Sequence, residues 1–191
     1  MNPMSDTLVI GLGNPLRGDD GVGVIAARAL AQHALPGGVE VVDGGTGGLE
    51  LVNLMEGWPR AIVIDAAYVG KQPGEFVRFT YDEVGSGTVR LPGEDDPNSV
   101  HAAGLRDALL LAQVLGVLPE QVIVFGVQPA RVEWDGALSP EVEGALPALI
   151  EAVLKELGVD GGRPGPDAPG PDTSGPDTSG VRRRRDTWRK S

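Results

Sequence analysis

A chain of 191 residues with no cysteine excludes disulfides, thiolate metal sites and thiol nucleophiles. Its formal charge of -11 at pH 7 argues against a nucleic-acid-binding surface over the body of the protein. Nor does any apolar run approach the roughly 18 residues of a membrane span, and the N-terminal MNPMSDT lacks a signal-peptide core, so a soluble cytoplasmic protein is expected.

Leu8, Val9 and Ile10 predict a strand over about residues 7–12, buried on both faces. Gly11 and Gly13 permit a tight turn, and Asn14-Pro15 stops the strand. Val22, Ile25, Ala26, Ala29 and Leu30 then recur at helical spacing, predicting a helix over about 21–34. His33, near its C-terminal end, reads as structural. Between strand and helix stand two adjacent carboxylates, Asp19 and Asp20, which admit three readings. One is an N-cap, which accounts for a single acid. Another is a dinucleotide fingerprint, but its third glycine falls at Leu16, and paired carboxylates would repel a pyrophosphate. The third is a metal ligand or catalytic carboxylate at the strand's end.

Val39–Val42 predicts a second strand ending at Asp43, followed by the cluster Gly44-Gly45-Thr46-Gly47-Gly48. That cluster reads either as a cradle of backbone N–H groups or as a link into a helix at about 48–56. Ala61–Ile64 predicts a central strand closed by Asp65, an acid that must be solvated, paired or metal-bound there. Residues 75–80 alternate polar and apolar, as in an antiparallel edge strand. Residues 82–99 read as a long loop that delivers Asn98, Ser99 and His101 to a helix over about 101–116, apolar enough to be well buried. His101 falls in its first turn, where the dipole favours the neutral imidazole that a metal requires. Residues 121–127 predict another buried strand. Ser139-Pro140-Glu141 opens a final helix in which Pro147 predicts a kink or a restart, with Gly158 as its stop. The chain thus divides into a domain over 1–158 and a Pro/Gly/Asp-rich, basic tail over 159–191 expected to be disordered. Seven Lys/Arg against five acids leave the tail at +2 and the body at -13.

Ligand sites of open parallel sheets lie outside the carboxyl ends of the strands. Asp19, Asp20, Asp43 and Asp65 fall there, and His101 arrives from the loop. Carboxylates with an imidazole and no sulfur suit a divalent first-row metal with positions left open for water or substrate. On residue chemistry alone the reading stops at a metal-dependent hydrolase or a metal-sensing site.

GLGNPLRGDDGVGV, with VVDGGTGGLEL, IVIDAA, NSVHAAGL and FGVQPARVEWDGALSPEV, resembles the endopeptidases that mature the large subunit of nickel–iron hydrogenases. The match runs from residue 8 to about 157, and the tail has no counterpart in it. The resemblance implies an α/β fold with three layers: a mostly parallel, twisted sheet of about five strands, one antiparallel edge strand and helices on both faces. It implies Asp20, Asp65 and His101 as metal-binding and catalytic residues; Asn14, Asp19 and Asp43, on the loops at the same strand ends, are the candidate supporting or substrate-binding groups. It also implies a monomer acting on the precursor of a hydrogenase large subunit, with nickel carried by that substrate or another divalent metal as the ion. A non-catalytic scaffold that binds nickel or the precursor is the alternative from a different class.

Overall fold

The computed structural model describes residues 6–85, 100–134 and 136–159, leaving out the side chains at 49, 84, 85 and 100–104. Among the described residues a five-stranded sheet forms from β1 (Thr7–Gly11), β2 (Val39–Asp43), β3 (Arg60–Ala66), β4 (Phe76–Thr80) and β5 (Gln121–Val127), in the order β2-β1-β3-β5-β4. All neighbours are parallel except β4 against β5, so the alternating segment is the antiparallel edge expected of it. The helices are α1 (Val22–Leu30), α2 (Leu49–Met55), α3 (Tyr81–Gly85), α4 (Val100–Leu115) and α5 (Pro140–Glu156).

Strand side chains alternate between the two faces, and the core divides with the same period. Leu8, Ile10, Ala61, Val63, Val122 and Val124 pack with Leu51, Met55, Leu105 and Leu109 of α2 and α4. Val9, Ile62, Ile64, Ile123 and Phe125 pack with Val22, Leu30, Leu149 and Val153 of α1 and α5. Three layers follow directly, because β1, β3 and β5 are apolar on both faces and each face must be covered.

Several sequence expectations need correction. The helix expected over 21–34 is a 3-10 turn, Gly18–Gly21, running into α1, which ends at Leu30. The bonds Gln32 N to Ala29 O (3.1 Å) and His33 N to Leu30 O (3.0 Å) tighten the chain beyond it. The His33 Nδ1 hydrogen-bonds the Ala29 carbonyl at 3.0 Å, the structural role expected. The segment expected to be a loop from residue 82 begins with α3, while 86–99, which hold Asn98 and Ser99, lie outside the described residues, as does the tail from 160. Pro147 neither ends nor restarts α5, which runs unbroken from Pro140 to Glu156. Burial of α4 is one-sided: Leu105, Ala108, Leu109 and Ala112 are buried, whereas Leu110, Val114 and Leu115 are exposed. Apolar composition alone does not reveal which side of a helix faces water.

One ion-pair network fastens the end of the sheet opposite the strands' carboxyl ends. Glu156 at the end of α5 accepts from Arg60 of β3 at 2.5 Å and from Arg78 of β4 at 2.7 Å. The hydrogen bond from Arg78, more than the partial desolvation that opposes it, holds the Glu156 carboxyl below its ordinary range. A group whose folded pKa is lowered contributes stability that is present above its unfolded pKa and is lost as pH falls through the folded value. Glu156→Gln is therefore expected to lower stability by about 1–2 kcal/mol at pH 7. The deficit should shrink as pH falls below the ordinary glutamate range, about 4. Urea midpoints of both proteins at pH 7 and pH 3 check this, and a deficit that stays constant with pH would refute it.

Candidate active site at the carboxyl ends of the strands

The loop leaving β1 is drawn tightly over the end of the sheet. Leu12 N donates to Ile64 O of β3 at 2.8 Å, and Gly13 N donates to Gly45 O at 2.7 Å, tying the first loop to both neighbouring strands. Two glycines make the path possible. Gly13 has φ +117°, and a Cβ there would overlap the Asp20 carbonyl. A Cβ at Gly23 would strike the carbonyls of Leu12 and Ile64, so glycine alone lets α1 start directly against β1 and β3.

The acidic pair then divides its labour. Asp20 is 5% exposed, and its Oδ2 accepts from Asn14 N at 3.0 Å. Asn14 itself closes the turn, its Oδ1 accepting from Leu16 N at 3.0 Å and its carbonyl from Arg17 N at 2.9 Å. Asn14 thus positions Asp20 through the backbone. Asp19 is fully buried (0% exposed) and faces the other way. Its Oδ2 accepts from Ala130 N at 2.8 Å, Arg131 N at 3.0 Å and Ser139 Oγ at 2.9 Å, and its Oδ1 accepts from Ser139 N at 2.6 Å. The Asp19 amide returns a bond to Arg131 O at 3.2 Å. Neither acid caps α1: the N-cap is Gly21, with no side-chain bond, so the capping reading is overturned. Asp19 instead pins the loop after β5 to the loop after β1.

Asp65 lies inside β3 rather than beyond it, opposite Gly126 of β5, and is 4% exposed. Period-two alternation with Ala61 and Val63 puts its side chain on the face covered by α2 and α4. The bond from Leu12 to Ile64, the residue before Asp65, brings the loop that carries Asp20 to the same edge. His101 is the second residue of α4, one turn before the buried Leu105. The C-terminal end of α4 neighbours the start of β5, since Leu118 N bonds Ala112 O and Gln121 N bonds Pro59 O just before β3. At about 1.5 Å rise per residue the 16 residues of α4 run back the length of the sheet, so its first turn comes level with the strands' carboxyl ends. The His101 imidazole lies outside the described residues, among which no three His, Cys, Asp or Glu side chains form a metal-binding group.

Asp43 ends an edge strand rather than a central one. Its Oδ2 accepts from Arg28 at 3.0 Å and its Oδ1 from Gly45 N at 3.0 Å, leaving it exposed beside a pocket of about 470 Å³ bordered by Glu50, Asn53 and Leu54. The glycine cluster after it is no anion cradle at three of its positions. Gly44 N is bonded to Gly11 O, Gly45 N to Asp43 and Gly47 N to Gly44 O.

Gln128 is a structural residue that the sequence reading missed. Its Oε1 accepts from Val69 N at 2.9 Å and Lys71 N at 3.3 Å, and its Nε2 donates to Pro129 O at 3.3 Å, so one buried amide orders the segment after Asp65. The only signal available was a polar residue directly after six buried strand residues.

A sequence profile described as hydrogenase maturation protease matches residues 24–156. The hydrogenase expression/formation protein HupD of Rhodobacter capsulatus is 36% identical over 154 residues, covering 78% of this chain and 70% of its own. The hydrogenase 2 maturation protease of Escherichia coli is 34% identical over 158 residues, covering 80% of this chain and 93% of its own. Among solved structures, the hydrogenase maturating endopeptidase HybD of Escherichia coli superposes with a TM-score of 0.68 at 34% identity, covering 81% of this chain and 93% of that one. Sequence and fold therefore agree, and the chain belongs to the hydrogenase maturation protease family.

Proposed function

We propose that this protein removes the C-terminal extension of the nickel-loaded precursor of a nickel–iron hydrogenase large subunit, as a cytoplasmic monomer. Asp20, Asp65 and His101 grip the nickel that the precursor carries. The observation that carries this reading is the pair of carboxylates, each about 95% withdrawn from water, brought to one edge of the sheet by the bond between Leu12 and Ile64. Ionised carboxylates are costly to bury, and an approaching dication offsets that cost. Two oxygens and an imidazole nitrogen suit a divalent first-row ion, and two or more positions stay open for the precursor's own ligands.

The chain's residues then have separable tasks. Asn14 aims Asp20, and Asp19 holds the loop after β5 in place. Asp43 borders the pocket that would take part of the precursor's peptide. The chain has no cysteine to serve as a thiol nucleophile, and in the hydrolysis water is added across one peptide bond, leaving a new carboxylate and a new amine. Among the described residues no helix is long and apolar enough to cross a membrane.

The test is the mass of a hydrogenase large-subunit precursor after incubation with the protein, with and without nickel loaded. Loss of a C-terminal peptide from the loaded form alone is the expected result. Binding without a change of mass would replace this reading with that of a non-catalytic maturation scaffold. Equal cleavage of both forms would remove nickel from the recognition.

A further inference from the structure

The loop that aims Asp20 also carries two residues that the acid site does not use. Leu16 is 66% exposed at its apex. Next to it, the Arg17 guanidinium lies over the Trp134 ring, Cζ 5.3 Å from the ring centroid, within the range of a cation–π contact. Trp134 comes from the loop after β5, the one pinned by Asp19, and is 75% exposed. A large aromatic and a leucine this exposed, on two loops joined by the Arg17–Trp134 contact and by the buried bonds of Asp19, are costly to leave in water and common where a partner docks. Among the described residues Arg17 makes no ion pair, and its Nε is withdrawn from solvent without a hydrogen bond. The cation–π contact holds the guanidinium beside Trp134, and its two terminal amino groups are the donors that would meet a carboxylate. The charge has a further consequence: a cation beside Asp19 and Asp20, in a chain of net charge -11, attracts an acid where the surrounding surface repels one.

We propose that Leu16, Arg17 and Trp134 form a recognition ridge for the precursor's peptide, in which Arg17 takes a carboxylate and Leu16 and Trp134 take a neighbouring apolar side chain. The ridge continues the acid site, because Arg17 O accepts from Asp20 N at 3.4 Å and closes the turn that holds Asp20. The inference rests on the precursor being the substrate, and it deepens that reading by naming what is recognised besides nickel. Arg17 and Trp134 act here as specificity residues, at a distance from the bond that breaks.

Two measurements test it, one of them independent of cleavage. A synthetic peptide spanning the cleavage region and extension of the precursor is titrated against tryptophan emission of the full chain. Covering Trp134 is expected to shift the emission to the blue, with no such shift in Trp134→Phe if the other tryptophans stay unperturbed. Processing of the nickel-loaded precursor is then followed for Arg17→Gln, Arg17→Lys and Trp134→Ala. Arg17→Gln and Trp134→Ala are expected to raise KM about tenfold with kcat changed less than about twofold, and Arg17→Lys to recover only part of the loss. Added salt should weaken the wild type more than Arg17→Gln. Replacing the acidic residues of the precursor's peptide singly by their amides should identify one that raises KM for the wild type and not for Arg17→Gln. Wild-type KM in Arg17→Gln at low salt, or no acid in the peptide coupled to it, would overturn the carboxylate contact. An unchanged Trp134 emission on peptide binding would overturn the ridge. A blue shift without any cleavage would instead leave the ridge standing and sink the proposed endopeptidase.

Discussion

Asp19→Ala is expected to cost about 3 kcal/mol or more of stability, a loss large enough to leave part of the protein unfolded at growth temperature. Deleting the carboxylate strands three backbone N–H groups and a serine hydroxyl, the donors that it satisfies at 2.6–3.0 Å. Each buried donor left without an acceptor costs about 1–3 kcal/mol, less where water can enter. Asp19→Asn should be nearly as damaging, since every one of those partners donates and the amide nitrogen would meet a donor with a donor. By contrast, Ser139→Ala removes one bond to Asp19 and the hydroxyl that accepts from Val142 N at 3.4 Å, and should cost about 1 kcal/mol. Urea unfolding at pH 7 measures all three. The size of the effect discriminates, because an acid that only capped α1 would cost about 1 kcal/mol. A loss for Asp19→Ala no greater than that for Ser139→Ala would refute the anchoring role.

The contrast between Asp19 and Asp20 shows what was legible in the chain and what was not. Apolar runs, a period-two alternation at residues 75–80 and the glycine punctuation were enough for the sheet, because burial on one or both faces of a strand is written in local sequence. The buried position of Asp65 at the carboxyl end of a central strand was legible too, from a carboxylate directly after four apolar residues. The roles of two adjacent aspartates were not. They differ only in direction, and direction was set by loops more than a hundred residues away, at Ala130, Arg131 and Ser139. The same holds for Gln128, Arg17 and Trp134, whose partners lie across the sheet's edge. Long-range pairing of loop residues has no period for a sequence to display.

The larger effect belongs to the acid site, where activity and stability should move apart. Asp65→Ala and His101→Ala are expected to reduce processing of the nickel-loaded precursor by at least about a hundredfold, measured as the rate of peptide release. Asp20→Asn should behave in the same way. Asp20→Glu, which keeps the charge and lengthens the side chain by one carbon, should lose no more than about tenfold, because an ion pair with a dication depends on charge before reach. Thermal unfolding supplies the second axis. Asp65 is 4% exposed at the carboxyl end of its strand, and an acid kept there for chemistry should leave the melting temperature of Asp65→Ala close to that of the wild type. Were Asp65 a structural acid, as Asp19 is, both quantities would fall together, and a melting temperature several degrees lower would place it in the scaffold. Full processing by either Asp65→Ala or His101→Ala would dismiss the site. Loss of processing at undiminished stability is the signature of residues kept for chemistry at the expense of the fold, and it would set Asp65 apart from Asp19, whose loss should fall on stability first.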